Sequence, residues 1–228
     1  MFPTTRWTLV LASQEGAERR RTALEELLAI YWRPLYMYAR RKGLGAAEAE
    51  DAVQGLFLQL LERDFPARLD PAKGRLRGYL KAALDHYVIN AHAKESALKR
   101  GGGAPLVPLD ALGAERELAA APVAPEAAYD REWALAVMER ALLALRGEYE
   151  AGRRKGDAET VLRFFRMDAA PSYAEGAAAC GMSVPQFKAS LHRARARFRE
   201  ILHEEVAATV EDDADADREI GDLVRALS

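Results

Sequence analysis

The sequence predicts an all-α protein of two helical domains, and three observations support this fold class. Apolar residues recur every three or four positions through most of the 228 residues, as on one face of a helix. No segment alternates polar and apolar residues for long enough to make a strand. Residues 101–128, rich in glycine, proline and alanine, are typical of a flexible linker. We therefore expect domains at 1–100 and 129–203 and a short acidic C-terminal extension at 204–228.

Composition sets the limits for function. The net charge is −2. Cys180 is the single cysteine, so a disulfide within the chain and a cysteine zinc site are excluded. The apolar run near the N-terminus is too short for a signal peptide or a membrane span, so we expect a cytoplasmic protein. No nucleophile–base pair, metal-ligand spacing or phosphate loop is present, so we expect no catalytic residue, metal or cofactor.

The first domain is predicted to hold three helices. Their apolar stripes cover residues 17–42, 46–63 and 76–99, and a loop with two prolines at 64–75 separates the last two. The first helix carries an aromatic cluster that could stack on bases but more often forms core: Tyr31, Trp32, Tyr36 and Tyr38. We favour the core interpretation. Carboxylates early in the second helix suit the helix dipole better than they suit catalysis.

The second domain is predicted to contain helices at 129–147 and 158–168, followed by a helix–turn–helix at 171–203. Ser172 with Glu175 forms a capping box for a short helix that Gly181 ends. Ser183 with Gln186 forms a second capping box, and Pro185 lies in the first turn of the helix that follows.

That second helix has one apolar and one basic face. The apolar face is Val184, Phe187, Leu191, Ala194, Phe198 and Ile201. In helix–turn–helix motifs such a helix enters the major groove. We expect base contacts from Gln186, Lys188, Ala189 and His192, and phosphate contacts from Arg193, Arg195 and Arg197. The alternative, an amphipathic helix with a solvated basic face, stays open from this stretch alone.

The order of these parts resembles the extracytoplasmic-function (ECF) class of bacterial sigma-70 RNA polymerase sigma factors. The segment AEDAVQGLFLQLLER is similar to the family's region 2.2, and GRLRGYLKAALDHYVINAHAKESALKR to regions 2.3 and 2.4. The segment YAEGAAACGMSVPQFKASLHRARARFREIL is similar to region 4.2. The resemblance covers residues 17–100 and 129–203.

The resemblance implies a promoter-specificity subunit and not an enzyme. Its partners would be core RNA polymerase (the clamp of the largest subunit and the flap), promoter DNA, and an anti-sigma factor or a Ser/Thr kinase as regulator. The polymerase interface would be the exposed side of the second helix, with Glu50, Asp51, Gln54 and Phe57 at matching positions. The −10 element would be read and opened by Arg75, Arg77, Tyr79, His86 and Asn90. The −35 element would be read by Pro185, Gln186, Lys188, Ala189, His192, Arg193, Arg195 and Arg197.

This chain departs from the family pattern at several places. Gly55 replaces an acid, Tyr79 replaces a tryptophan, and residues 148–157 lengthen a helix connection. The lost acid gives the hypothesis that polymerase binding needs a modification or a partner. The acids after His203 give the hypothesis that the tail lies against the basic helix and competes with DNA phosphate. Two other functions stay open: a helix–turn–helix regulator acting without polymerase, and a sigma-mimicking protein that binds an anti-sigma factor.

Overall fold

The computed structural model describes residues 17–62, 76–97, 123–165, 170–210 and 213–228. All regular structure in these residues is helical, which confirms the all-α prediction. The helices are α1 (Ala17–Arg41), α2 (Ala46–Glu62), α3 (Leu76–Ala97), α4 (Pro125–Glu150), α5 (Ala158–Arg163), α6 (Tyr173–Ala179), α7 (Val184–Ala207) and α8 (Asp213–Leu227).

The described residues divide into two compact units. Unit 1 contains the chain up to Ala136 together with Ala207–Ser228, and unit 2 is Val137–Val206. The division therefore falls within α4, and the C-terminal extension belongs to unit 1. The sequence placed these two boundaries elsewhere, at the linker and at residue 203.

Unit 1 is built around α1, α2 and α3, which pack against one another. Their apolar stripes meet in a core that includes Leu35, Val53 and Leu80, each almost fully buried. The four aromatics of α1 are also buried, between 0% and 5% exposed, which confirms that they are core rather than a base-stacking surface. Burial raises the pKa of the Tyr31 hydroxyl.

The same core extends to the first turns of α4 and to α8. Tyr129 and Trp133 of α4 and Ala216 and Leu223 of α8 are buried, with exposures of 2% or less. Each Å² of apolar surface removed from water stabilises the fold by about 25 cal/mol, so these buried residues make α8 a packed part of unit 1. The acidic C-terminal extension thus contains a helix of 15 residues with an apolar face.

Unit 2 contains the rest of α4, then α5, α6 and most of α7. Phe187 of α7 is fully buried and lies edge-on to Phe164, with ring centroids 5.2 Å apart. Phe165 and Phe198 form a second edge-on pair at 5.2 Å. These aromatic contacts join the end of α5 to α7. Their edge-to-face geometry is favourable because the positive edge of one ring meets the negative face of the other.

The helix predictions are confirmed for most segments, with corrections at the ends. Residues 125–128 are helical and begin α4, although the sequence placed them in the linker. Helix α5 ends at Arg163, short of the predicted residue 168. Residues 1–16, the loop 64–75 and linker residues 101–122 lie outside the described residues.

Candidate nucleic-acid interface

The helix–turn–helix forms through the two predicted capping boxes. At α6, the Glu175 backbone N–H donates to Ser172 Oγ at 3.2 Å, and the Ser172 N–H donates to the Glu175 carboxylate at 2.8 Å. At α7, the Gln186 N–H donates to Ser183 Oγ at 3.4 Å, and the Ser183 N–H donates to Gln186 Oε1 at 2.9 Å. Each box satisfies backbone donors that a helix start leaves unpaired, so both helix starts are fixed by local sequence.

The turn between the helices is set by small residues. Gly181 has φ +63, the left-handed conformation expected after a helix end. Gly176 of α6 packs against α7 so closely that a Cβ there would lie 2.7 Å from the Phe187 ring. A side chain at this position would push the two helices apart, and the angle of α7 depends on its absence.

Helix α7 presents nearly all the residues predicted to read the −35 element. Phe187, Leu191, Ala194, Phe198 and Ile201 are buried as predicted. Val184 is an exception to the predicted apolar face, because it is 36% exposed. On the opposite side all of the following are exposed: Pro185, Gln186, Lys188, Ala189, His192, Arg193 and Arg195.

Arg197 is the exception among the predicted phosphate contacts. Its Nε lies 2.8 Å from Glu148 Oε1, and its Nη1 lies 3.0 Å from both Glu200 and Glu204. Three carboxylates therefore surround this guanidinium, and its side chain is only 27% exposed. The prediction that Arg197 faces the DNA backbone is corrected: its charge is already matched within unit 2.

Glu148 joins the inserted connection to α7. One carboxylate oxygen accepts from Arg197 and the other from Arg154 Nε, each at 2.8 Å. Burial alone would raise the pKa of Glu148, but the hydrogen bonds from Arg154 and Arg197 outweigh it and hold the pKa below its ordinary value. The carboxylate is therefore charged at neutral pH and fixes the connection after α4 to α7.

The predicted −10 residues are in contrasting positions. Arg77 is engaged by three carboxylates: Asp130 of α4 at 2.5 Å, Glu219 of α8 at 2.9 Å and Asp222 of α8 at 2.6 Å. Its guanidinium also lies 4.7 Å from the Trp133 ring centroid, and its side chain is 12% exposed. The prediction that Arg77 contacts DNA is therefore corrected, because α4 and α8 cover it.

The other −10 candidates do not share this environment. His86 and Asn90 are exposed on α3, and Tyr79 is half-buried. Arg75 lies outside the described residues. His86 and Asn90 are thus the candidates that the structure leaves accessible.

Two carboxylates of the C-terminal extension pair with a residue of unit 1, whereas the sequence led us to expect them against the basic face of α7. Glu219 and Asp222 pair with Arg77, so these acids of α8 stabilise unit 1. Among the described tail residues, Glu204 pairs with Arg197 of α7. The hypothesis of a tail that competes with phosphate therefore has no support from Glu219 or Asp222.

The proposed polymerase surface on α2 is partly exposed. Asp51 is exposed, Glu50 and Gln54 are half-buried, and Gln54 Nε2 donates to Glu50 Oε1 at 3.4 Å. Phe57 is only 5% exposed and belongs to the core, so its assignment to an exposed surface is corrected.

Gly55 lies under the ring of Tyr87. A Cβ at Gly55 would be 1.9 Å from Tyr87 Oη and 2.4 Å from its Cζ. Any side chain at position 55 would thus require the tyrosine of α3 to move, which gives the missing acid a packing explanation.

The structure also brings together basic residues that the sequence did not single out. Arg153 and Lys155, in the connection between α4 and α5, line a cavity of about 790 Å³ that Gln186 and Arg193 of α7 also line. The run Arg153, Arg154 and Lys155 within a lengthened connection is the sequence signal that could have identified them.

Comparison with known proteins adds no relative. No protein-family model, no curated protein and no solved structure matches the chain. Within the described residues, no helix is long and apolar enough to cross a membrane.

Proposed function

We propose that this chain is an ECF-type sigma factor that directs promoter-specific transcription initiation by core RNA polymerase. The observation that carries the proposal is the exposed surface of α7. This helix follows a capped short helix and a tight turn, and it keeps Gln186, Lys188 and His192 accessible on the face opposite its core. That arrangement suits insertion into the major groove, where side chains reach base edges.

In this proposal the chemistry of α7 divides between bases and phosphates. Gln186 Oε1 accepts from the Ser183 N–H, so its Nε2 is the group that can donate to a base acceptor such as adenine N7. Lys188 and His192 offer donors to purine acceptors, and Ala189 leaves room for a thymine methyl group. Arg193 and Arg195 neutralise phosphates, which makes binding strongly dependent on salt.

Unit 1 would bind the polymerase clamp and the −10 element. The exposed carboxylate of Asp51 and the half-buried one of Glu50 remain the candidates for the clamp. His86 and Asn90 remain the candidates for the −10 element, since Arg77 is paired internally. Opening the −10 element turns a base out of the stack, which costs a few kcal/mol. Aromatic and polar side chains can bind such a flipped base.

Run-off transcription tests the proposal. Core polymerase with this chain, on DNA from upstream of its own gene, should give a discrete transcript that core polymerase alone does not give. A substitution of His192 by Ala should reduce that transcript, while Arg131→Ala, at an exposed position of unit 1, should leave it unchanged. If core polymerase with this chain gives no transcript and forms no complex on gel filtration, the proposal is wrong.

A second function has specific support from unit 1. Arg77 and Phe57 are both covered, so two of the residues expected to act with polymerase or the −10 element are unavailable. This favours a helix–turn–helix regulator that binds DNA without polymerase. Such a protein should shift operator DNA alone and elute as a dimer, because half-sites require two copies. A sigma-mimicking protein that binds an anti-sigma factor should shift no DNA with or without polymerase.

A further inference from the structure

The charges around α7 are unevenly distributed between its two flanks. Each residue turns a helix by about 100°, so Ala189, His192 and Ala196 form a row opposite the buried face. One flank of this row carries the cations Lys188, Arg195 and Arg199. The other flank carries Gln186, Arg193 and Arg197, of which Arg197 is matched by three carboxylates. Helix α7 itself therefore supplies one available cation, Arg193, on that second flank.

The connection between α4 and α5 adds positive charge beside this weaker flank. Arg153 and Lys155 are exposed, and Arg154 between them turns inward to the Glu148 carboxylate that also binds Arg197. The Arg153 backbone N–H also donates to the Glu148 carbonyl at 3.0 Å, which closes the turn after α4. Side chains 153 and 155 are thus held outward while their neighbour fixes the segment to α7.

The space between the α4–α5 connection and α7 offers the positive charge that would bind a phosphate backbone. The cavity of about 790 Å³ is lined by Arg153 and Lys155 of the connection and by Arg193 of α7. The one acid in its wall, Glu148, is already paired with Arg154 and Arg197. A polyanion that entered this space would therefore meet cations that the described residues leave without an ion pair.

We propose that residues 151–157 form a second DNA-backbone contact, so that unit 2 holds the phosphates of both strands that border the major groove. The groove is about 12 Å wide, and a helix lying in it has one phosphate row on each side. Lys188, Arg195 and Arg199 face one row, and Arg193 with the segment's Arg153 and Lys155 faces the other. This inference rests on DNA binding by α7 and names the part of the molecule that completes it.

The salt dependence of binding to a short random-sequence duplex tests the inference, because phosphate contacts are independent of sequence. The full chain is compared with the double variant Arg153→Ala/Lys155→Ala. Loss of two phosphate contacts should lower the slope of log affinity against log salt by about 1.8. The control is Arg131→Ala/Arg218→Ala, which makes the same change in net charge at exposed positions of unit 1. It should leave the slope unchanged.

Each outcome decides the inference. A slope that falls only in the segment variant supports it, provided that both variants melt at the temperature of the parent chain. An unchanged slope in the segment variant, or an equal fall in both variants, overturns it. A parent chain that binds no duplex also overturns it, whereas the transcription assay separately decides the proposed function.

Discussion

Arg77 of unit 1 and the arginines of α7 in unit 2 carry the same charge but lie in opposite surroundings. Arg77 has three carboxylates and a tryptophan ring around it, and its side chain is 12% exposed. Burial alone would lower the pKa of Arg77, but the three carboxylates outweigh it and raise the pKa. Arg193 and Arg195 are exposed on α7 and make no ion pair within the described residues. A basic residue in a DNA-binding pattern is therefore an interface only where the fold leaves it uncovered.

The largest expected effect is on the buried side of this comparison. Arg77→Ala removes the ion-pair contact to Glu219, whose side chain is 2% exposed. Breaking a buried ion pair in this way costs about 3–5 kcal/mol. Urea unfolding followed by tryptophan fluorescence reports on unit 1, since the three tryptophans are at positions 7, 32 and 133.

The matched control is Arg218→Ala, which removes an exposed partner of Asp215 on α8. Exposed pairs contribute about 0–1 kcal/mol, so the control should change stability little. If Arg77→Ala cost no more than Arg218→Ala, Arg77 would not be a structural residue.

The acid sensitivity of unit 2 tests the Glu148 bridge. Because the folded pKa of Glu148 is lowered from its ordinary value of 4.5, its stabilisation is present above about that pH and is lost as pH falls through the folded pKa. Glu148→Gln should cost about 1–3 kcal/mol at pH 7, since hydrogen bonds to charged groups are lost. The gap between variant and parent should close below pH 4.5.

Hydrogen exchange of α7 amides measures this gap within unit 2. Glu150→Gln is the control, because Glu150 is 64% exposed and pairs only with Arg146 among the described ion pairs. It should cost about 0.5 kcal/mol or less at either pH. A gap that persists unchanged at pH 3 would show that the Glu148 charge is not what matters.

The packing of Gly55 against Tyr87 predicts a smaller effect that depends on background. Alanine is favoured over glycine in a helix by about 1 kcal/mol, but here a Cβ would lie 1.9 Å from Tyr87 Oη. Gly55→Ala should therefore stabilise unit 1 in a Tyr87→Ala background and be less favourable by about 1 kcal/mol or more in the parent. A double-mutant cycle in urea measures the coupling. Additive effects would mean that the ring moves aside without cost.

The smallest expected effect is at the start of α7. Ser183→Ala removes an N-cap and should cost about 1 kcal/mol, seen as faster hydrogen exchange in the first turn of α7. Ser172→Ala removes the equivalent cap of α6 and should leave those amides of α7 unchanged. Equal effects of the two variants would mean that the helices open together rather than separately.

The caps and the buried face of α7 could be predicted from the sequence. The ion pairs that cover Arg77 and Arg197 could not. The capping boxes join residues three positions apart, and the buried face of α7 follows from its own periodicity. The partners of Arg77 in Asp130 and Asp222 are 53 and 145 residues away, and Glu148 is 49 residues from Arg197. Such pairings depend on how helices pack, and helix periodicity carries no information on them.

The resemblance to sigma factors assigned Phe57 by its matching position and made Arg77 a candidate for the −10 element, in both cases without regard to exposure. Phe57 is an apolar residue within the seam of α2, and its own periodicity already put it in the core. Where the two kinds of inference disagreed, the structure agrees with the periodicity, because burial of apolar surface is the stronger term in a small helical domain.

The most direct test compares the two kinds of arginine in one assay. One variant is Arg195→Ala/Arg199→Ala on α7, and the other is Arg77→Met/Glu219→Gln, which removes the cation and leaves no buried charge at position 219. The slope of log affinity against log salt is measured on a short duplex. We predict a slope lower by about 1.8 for the α7 variant and an unchanged slope for the Arg77 variant. An unchanged slope for the α7 variant, or an equal fall for the Arg77 variant, would contradict the account.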